Sequence, residues 1–219
     1  MIEKRVTSAV ELGNVIREGQ YRLVIFDFDG TLVNTVDDVI VCFNKALSYY
    51  GLPTCSEEKI KDLIGGDLET IVSNLLPVKY RTHEMIDNVK RKYREIYMVY
   101  EKPNSRPFEG IRELIRQLQN ADITIAINSN KGQGLLDAMV KECFGEGVFA
   151  SVIGYDEAFP PKPDPYGVMQ ICEKCHCMLK ETLYVGDGMS DRMTSQKAGI
   201  DFAMVTWGKE QKSRICARI

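Results

Sequence analysis

Short apolar runs alternate with stretches of helical periodicity over the second half of this chain, and the alternation predicts its architecture. The runs are partly β-branched and are bounded by turn residues, as is typical of buried strands. We predict strands at residues 23–26, 123–127, 151–155, 182–185 and 202–205. Because helical stretches separate the later strands, the sheet is expected to be mostly parallel. The pattern therefore predicts an α/β fold with a Rossmann-like core.

A segment with a different periodicity lies between the first two of these strands. Residues 35–105 contain four successive stretches in which apolar side chains recur every three or four positions, with no strand pattern among them. Glycine and proline residues separate the stretches, as expected at helix ends. We therefore divide the chain into a core domain, residues 1–34 and 106–219, and an inserted all-helical domain, residues 35–105. For residues 1–21 we predict one short helix.

The composition restricts the kind of protein. The 219 residues are 44% hydrophobic, enough for a proper core, yet no apolar run approaches the roughly 18 residues of a membrane helix. The net charge of -3 and the sequence pI of about 5.6 offer no basic surface for nucleic acid. Seven cysteines, an odd number, favour a reducing compartment over a disulfide framework. We expect a cytoplasmic protein without nucleic-acid or membrane partners.

Polar residues follow four of the predicted strands. In chain order they are Asp27 and Asp29, Ser129 and Asn130, Lys162, and Asp187 and Asp191. Ligands bind beyond the carboxyl ends of the strands in open α/β sheets, so these side chains are expected to meet there. Converging carboxylates repel each other by about 4 kcal/mol per pair at 4 Å and an effective dielectric of ~20. The site therefore requires a cation, for which Mg²⁺ suits an all-oxygen ligand set, and Lys162 adds a positive charge for phosphate oxygens.

Four segments resemble the sequence motifs of the haloacid dehalogenase (HAD) superfamily. They occur in the order of that family, and each follows a predicted strand. The segments are Asp27-Phe28-Asp29-Gly30-Thr31, Asn128-Ser129-Asn130-Lys131, the proline-rich run around Lys162, and Gly186-Asp187-Gly188-Met189-Ser190-Asp191. The resemblance covers residues 21–207. It implies the HAD core fold with a helical cap, residues 35–105, inserted after the first motif.

The resemblance implies roles for the acidic residues. Asp27 would be the nucleophile that forms an aspartyl-phosphate. Asp29 would protonate the leaving alcohol and then deprotonate the hydrolytic water. Asp27, the backbone carbonyl of Asp29, and Asp187 would bind Mg²⁺. Asp191 would be either a further ligand or a partner of Lys162.

It also implies residues that contact the substrate. Ser129 and neighbouring groups such as Asn130 would hold the phosphoryl group together with Lys162, and Thr31 would orient Asp29. On the helical insert, Gly65-Gly66-Asp67 lies between two helices, where glycine permits close approach of a ligand and a helix start offers N–H groups to an anion. We predict that Gly66 reaches the substrate, and an ordinary glycine-rich connection is the alternative.

Residue differences within the superfamily favour a phosphatase. Dehalogenases lack the second carboxylate that Asp29 supplies, and phosphonate hydrolases carry Ala there. Mutases of the β-phosphoglucomutase type usually have a His in the first cap helix, and residues 36–50 contain none. We predict a Mg²⁺-dependent phosphatase similar to phosphoglycolate phosphatases, acting on a small phosphorylated metabolite as a monomer or homodimer. The alternatives are a pyrophosphatase or sugar-phosphate mutase on the same scaffold, and a non-catalytic binding or regulatory HAD protein.

Two further features are interpreted as structural. The run from Cys172 to Cys177 suggests a zinc site, but Cys172 and Cys175 continue the apolar stripe of a helix, and no second cluster completes such a site. We expect them to be core thiols. The basic C-terminal residues are expected to lie on the solvated surface; they are Lys209, Lys212, Arg214 and Arg218.

Overall fold

The computed structural model describes residues 2–208, in which the chain forms two compact units. One unit combines the segments that precede Thr35 and follow Ser105, and the other is formed by the residues from Thr35 to Ser105. No helix in the part of the chain that the structure describes is long and apolar enough to cross a membrane. The basic tail from Lys209 to Arg218 lies outside the described residues.

The first unit is built on a parallel sheet. The described strands are β1 (Glu3–Val6), β2 (Leu23–Phe26), β3 (Val33–Asn34), β4 (Arg106–Pro107), β5 (Thr124–Gly132), β6 (Ser151–Tyr155), β7 (Thr182–Gly186) and β8 (Asp201–Val205). Six of them pair in the order β1-β8-β7-β2-β5-β6, and each neighbouring pair is parallel. All four residues of the central strand β2 are buried. The predicted mostly parallel α/β fold is confirmed.

Helices cover this sheet and form the insert. The described α-helices are α1 (Ala9–Glu18), α2 (Val36–Tyr49), α3 (Glu57–Leu63), α4 (Leu68–Leu75), α5 (His83–Val99), α6 (Ile111–Asn120), α7 (Gln133–Phe144), α8 (Tyr166–Lys174) and α9 (Met189–Ala198). Against the sheet, Val168 and Ile171 of α8 share one apolar cluster with Ile25 of β2 and Phe202 of β8. Burial of this apolar surface is the main favourable contribution to folding of the unit.

The prediction of a helix alone for residues 1–21 was wrong in part. The helix is present as α1, whose first turn is capped by the Ser8 hydroxyl accepting from the backbone N–H of Glu11. Before it, however, β1 pairs in parallel with β8 at the edge of the sheet. Three of its four residues are charged and only Val6 is buried. An edge strand of this kind carries no apolar run that would reveal it, because backbone pairing with β8 defines it.

The start of α8 differs by one position from what its sequence indicates. The pair Asp164-Pro165 is typical of an N-cap followed by the first helical residue, which predicts a helix that begins at Pro165. In the structure Pro165 is itself the N-cap, and the helix begins at Tyr166. The Asp164 carboxylate still accepts a hydrogen bond from the Tyr166 N–H, at 2.9 Å. The residue types therefore have the predicted function, shifted along the chain, as is common at helix ends.

The second unit contains α2 to α5, at the four stretches where the periodicity predicts helices. Ser56, Asp67 and Thr82 cap the last three of these helices by accepting backbone N–H groups. Between α2 and α5, the rings of Phe43 and Tyr93 stack with centroids 4.0 Å apart. The unit therefore has its own apolar core.

A buried carboxylate joins the two ends of this unit. Asp38, in the first turn of α2, has no exposed surface. It accepts hydrogen bonds from the backbone N–H of Asn104 at 3.1 Å and from the Ser105 hydroxyl at 2.7 Å. The links to the first unit are themselves ordered, because β3 and β4 pair as a short antiparallel ribbon. Nothing in the sequence pattern indicates this pairing.

Candidate active site

Three acidic side chains meet at the carboxyl ends of the central strands. Asp27 directly follows β2, and its N–H donates to the carbonyl oxygen of Val185 on β7 at 2.9 Å. Asp187 follows β7, and Asp191 lies in the first turn of α9. All three residues are buried, and one oxygen from each carboxylate lies within 4.8 Å of the others. We call these three residues the carboxylate cluster.

Lys162 brings a positive charge into the carboxylate cluster. Its ammonium nitrogen lies 2.7 Å from Asp27 Oδ1 and 2.6 Å from Asp191 Oδ1, and the residue is 5% exposed. Asp191 has a second structural contact, since its Oδ2 accepts from the N–H of Gly188 at 3.0 Å. The role of Asp191 as a partner of Lys162 therefore agrees with the observed contacts. The side chain is fixed between the lysine and the start of α9.

The electrostatics of the cluster are those of buried like charges. Burial raises the pKa of Asp27 to about 8, and the charge of Asp191 acts in the same direction, while Lys162 lowers it in part. Burial alone would lower the pKa of Lys162, but the charges of Asp191 and Asp27 outweigh burial and hold that pKa well above its ordinary value. The lysine is therefore a permanent cation, and the carboxylates need further positive charge to ionise fully.

A divalent cation fits this arrangement. Buried carboxylate oxygens converge on one point, and a single ammonium is shared by two of the three groups. A hard cation such as Mg²⁺ prefers this kind of all-oxygen donor set. Among the described residues, this is the one grouping of three or more His, Cys, Asp or Glu side chains close enough to share an ion. The donor set therefore agrees with the predicted metal.

The Asp29 side chain does not join the cluster. Strand β2 ends at Phe26, so the strand geometry that would aim Asp27 and Asp29 in the same direction does not extend to Asp29. Its carboxylate instead forms an ion pair with Lys131, whose ammonium lies 3.0 Å from Asp29 Oδ1. The Lys131 side chain is 5% exposed and that of Asp29 is 17% exposed. The sequence contains Lys131 within the second motif, but its pairing depends on β5 continuing past the end of β2 to Gly132.

The turn after Asp29 requires glycine. Gly30 has a φ of +83°, and a Cβ atom on it would lie 2.7 Å from Asp187 Oδ2. Glycine therefore permits both the left-handed turn and the close approach of Asp187. The next residue, Thr31, is fully buried, and its hydroxyl has no hydrogen-bond partner among the described residues. A buried hydroxyl of this kind is available to a ligand or to a neighbouring carboxylate.

Residues of the second motif line the same edge. Ser129 is 4% exposed, and its hydroxyl accepts from the N–H of Lys131 at 3.2 Å. The Asn130 amide pairs with both backbone groups of Lys162: its Oδ1 accepts from the lysine N–H at 2.8 Å, and its Nδ2 donates to the lysine C=O at 3.2 Å. The Asn130 side chain therefore positions Lys162, a contact that the motif alone does not reveal.

Gly66 belongs to the other compact unit. It lies between α3 and α4, and its N–H donates to the carbonyl oxygen of Leu63 at 3.3 Å. The following Asp67 caps α4 by accepting from the N–H of Thr70 at 2.9 Å. The contact of Gly66 with substrate stays a prediction.

The cysteines at the end of α8 and just after it form no comparable site. Cys172 is buried in the apolar cluster between α8 and the sheet, and Cys175 and Cys177 pack against that cluster. The Cys172 thiol lies 3.7 Å from the Thr182 hydroxyl, and the Cys177 thiol lies 3.4 Å from the carbonyl oxygen of Cys175. These contacts agree with the interpretation as packing thiols.

Comparison with known proteins connects this site to a family. The profile of the haloacid dehalogenase-like hydrolases matches residues 24–205. A phosphoglycolate phosphatase from Vibrio parahaemolyticus is 27% identical over 202 residues, which cover 90% of this chain and 88% of that protein. An N-acetylmuramic acid 6-phosphate phosphatase from Pseudomonas aeruginosa is 24% identical over 187 residues, which cover 85% of this chain and 82% of that protein.

Structural comparison gives the same result. The crystal structure of a haloacid dehalogenase-like hydrolase from Bacteroides fragilis has a TM-score of 0.80 at 26% identity, over 86% of this chain and 89% of that one. The family profile extends from strand β2 to strand β8 and so includes all four motifs. The family predicted from these motifs is thereby confirmed, and the chain belongs to the haloacid dehalogenase-like hydrolases.

Proposed function

We propose that this protein is a Mg²⁺-dependent phosphatase that hydrolyses a small phosphate monoester through an aspartyl-phosphate on Asp27. The observation that carries the proposal is the position of Asp27, which lies in the carboxylate cluster with the Lys162 ammonium 2.7 Å from its oxygen. The relatives named as phosphoglycolate phosphatase and N-acetylmuramic acid 6-phosphate phosphatase both support hydrolysis of a phosphate monoester. Their two names also indicate that the organic part of the substrate varies within this group.

The chemistry proceeds in two displacements. An oxygen of Asp27 attacks phosphorus, the bond from phosphorus to the alcohol oxygen breaks, and Asp29 gives its proton to that oxygen. A water molecule then attacks the phosphorus of the aspartyl-phosphate and passes a proton to Asp29, and the Asp27 carboxylate leaves. The products are the alcohol and inorganic phosphate. After Asp29 has given up its proton to the alcohol, its carboxylate forms the ion pair with Lys131 at 3.0 Å, which fixes the orientation in which it accepts the proton of the hydrolytic water.

The metal ligands in this proposal are Asp27, the backbone carbonyl of Asp29, and Asp187. When bound, Mg²⁺ supplies positive charge that offsets the negative charge of the carboxylates and of the transferring phosphoryl group. Asp191 contributes through Lys162, whose ammonium lies 2.6 Å from its Oδ1. Its buried carboxylate keeps the lysine aimed at the oxygens of Asp27.

The phosphoryl group is held by the remaining residues of this edge. Lys162 provides the permanent cation, and the Asn130 amide fixes the backbone that carries it. Because the Asn130 side chain is engaged in this contact, we assign phosphate binding to its backbone N–H. The Ser129 hydroxyl and the unpartnered hydroxyl of Thr31 complete the set of donors. Phosphoryl transfer depends mainly on positioning and charge, and this set provides both.

A direct assay tests the proposal. The purified protein should release p-nitrophenol from p-nitrophenyl phosphate with Mg²⁺, lose that activity in EDTA, and regain it when Mg²⁺ is restored. Asp27→Asn, purified in parallel, is the control for contaminating phosphatases. Activity that survives EDTA would contradict the metal assignment. No release from any phosphorylated compound would favour a non-catalytic binding or regulatory protein.

A panel of phosphorylated metabolites identifies the substrate and separates a phosphatase from a pyrophosphatase or a mutase. We expect the highest kcat/KM for a small anionic monoester such as phosphoglycolate. Preference for pyrophosphate would favour the pyrophosphatase, and transfer of phosphate between positions of a sugar without release would favour the mutase. The same proposal includes three further properties of the protein: a small metabolite as partner, a cytoplasmic location, and a monomeric or homodimeric state.

Substrate choice in this proposal resides in a cap formed by residues 35–105, with Gly66 contacting the organic part of the substrate. The core motif residues contact only the phosphoryl group and the metal in this proposal, so they cannot distinguish one leaving alcohol from another. Replacing Gly66 by Leu should lower kcat/KM for the natural substrate. The loss should correspond to an increase of ~1–3 kcal/mol in the activation free energy. The loss on p-nitrophenyl phosphate should be smaller. Equal losses on both substrates, or none, would make the turn an ordinary connection.

A further inference from the structure

We propose that Trp207 and Gly208, which follow strand β8, are positioning residues for the metal site. The inference rests on the metal site of the proposed function, since it concerns the turn and the carboxylate that form that site. Neither residue belongs to the four motifs, and neither carries a side-chain group that could ligate Mg²⁺. Their effect is exerted through the residues that they contact.

The first contact is made by the indole of Trp207. Its Nε1–H donates to the backbone carbonyl oxygen of Thr31 at 3.0 Å. Thr31 directly follows Gly30, in the turn that sets the direction of Asp29 and its carbonyl group. With this hydrogen bond, the partly buried indole holds the Thr31 carbonyl in one orientation. Without it, the carbonyl loses a favourable contact and the peptide group can rotate. Trp207 therefore fixes the turn at Gly30 and Thr31, although it lies outside the four motifs.

The second contact is the close approach of the Gly208 backbone. A Cβ atom at this position would lie 2.3 Å from the carbonyl oxygen of Gly30 and 3.2 Å from Asp187 Oδ2. A Cβ atom on Gly30 would lie 2.7 Å from the same Asp187 oxygen. The two glycines therefore pack closely around the Asp187 carboxylate, and a side chain on either would displace it. This packing, and not a hydrogen bond, is the reason for glycine at 208.

The segment that carries both residues is anchored to the sheet edge. Thr206 is 4% exposed, and its N–H donates to the carbonyl oxygen of Val6 on β1 at 3.1 Å. The preceding strand β8 pairs with β1 on one side and β7 on the other. The position of Trp207 is thus fixed relative to Asp187, which follows β7. A rigid support of this kind is what a metal site requires to keep its ligands in place.

Calorimetric titration with Mg²⁺ tests the inference without relying on turnover. Gly208→Ala should weaken Mg²⁺ binding by at least about tenfold, and Trp207→Phe, which removes the N–H donor, by about three- to tenfold. The matched control is Gly134→Ala on α7, where a Cβ atom meets nothing within 4 Å, and its affinity should be unchanged. If Gly208→Ala does not fold, Trp207→Phe decides alone.

A second readout comes from the same side chain. Trp207 is the single tryptophan of the sequence, so the tryptophan emission of the unmodified protein, excited selectively at long wavelength, reports on this segment alone. It should shift when Mg²⁺ and orthovanadate bind. Unchanged emission at saturation, or unchanged Mg²⁺ affinity in both variants, would overturn the inference, as would the absence of Mg²⁺ binding to the unmodified protein. Weakened Mg²⁺ binding in the variants of a protein that hydrolyses no phosphate ester would support the inference while refuting the proposed phosphatase.

Discussion

Among the described residues of the first unit, two groups of potential metal ligands can be compared, and one converges on a point whereas the other does not. The carboxylate cluster draws its members from distant parts of the chain, yet their oxygens lie within 4.8 Å of one another. The cysteine segment (Cys172, Cys175 and Cys177) places three thiols within six positions, and they pack against the core instead of converging.

The difference lies in the secondary structure that carries each group. Parallel strands end at one edge of the sheet, so residues that follow β2 and β7 are neighbours in space whatever their separation in sequence. A helix rotates its residues around an axis, and α8 ends at Lys174, so Cys177 lies beyond the turn that carries Cys172. Closeness in sequence is therefore a poor guide to a metal site, and position after a strand is a good one.

The largest expected effect within the carboxylate cluster is that of Asp27→Asn. The amide cannot act as the nucleophile, so kcat should fall by about 10⁴-fold or more, and no phosphoenzyme should form. Rapid acid quench with ³²P-labelled substrate, followed by peptide mapping, measures the intermediate. A labelled residue other than Asp27 would refute the mechanism.

Asp29→Asn should be less damaging. The side chain lies outside the carboxylate cluster and pairs with Lys131, so Mg²⁺ binding should persist. Loss of the proton donor and acceptor should slow turnover by about 10²–10⁴-fold. Because p-nitrophenolate leaves without protonation, release from the nitrophenyl ester should be less affected than release from an alkyl ester, as single-turnover kinetics would show. An equal loss on both esters would argue against an acid role in the first step.

The raised pKa of Asp27 predicts a strong pH dependence of metal binding. Mg²⁺ needs the ionised carboxylate, and the pKa of Asp27 is raised from 3.8 to about 8. Each ion bound below that pH displaces a proton, so the affinity should rise by about tenfold per pH unit between about pH 6 and pH 7.5. Calorimetry in several buffers measures the affinity and the released proton. In Asp27→Asn, the Mg²⁺ affinity should no longer rise with pH in this range. An equal pH dependence in that variant would show that another group binds the released proton.

The same pKa sets the sign of a stability effect in the metal-free protein. The folded state holds a proton on Asp27 that the unfolded state has lost, so this contribution to the free energy of unfolding is fully present below about pH 4. It declines as the pH rises from there to about 8. Urea denaturation in EDTA should therefore show Asp27→Asn gaining stability relative to the unmodified protein as the pH is raised.

The smallest effects are expected in the cysteine segment. Cys172→Ala removes a buried sulfur atom and should lower the free energy of unfolding by about 1–2 kcal/mol, as other small core truncations do. Cys175→Ser, at the partly buried end of α8, should cost less, and the kcat of both variants should stay near that of the unmodified protein. Elemental analysis should find no stoichiometric zinc. One tightly bound zinc ion per chain would remove the contrast between the two groups.

Much of the candidate site could be predicted because its residues follow apolar runs. Asp27 comes directly after one predicted strand and Asp187 two residues after another, and parallel pairing then brings them together. The role of Asn130 could not be read in the same way, because its amide pairs with the backbone of Lys162, whose loop has no periodic pattern. The Asp29 side chain also differs from the simple expectation, since β2 ends before it.

Local pattern thus determined which segments are strands and helices, the α/β class and the chemical types gathered at the sheet edge, since each depends on residues within a few positions of one another. Tertiary structure alone decided the rest. Strand β1 exists through its pairing with β8, Lys131 is placed beside Asp29 by the extension of β5, and Trp207 reaches the carbonyl of Thr31. Each is a contact between segments far apart in sequence, and its partner is fixed only when the sheet has assembled.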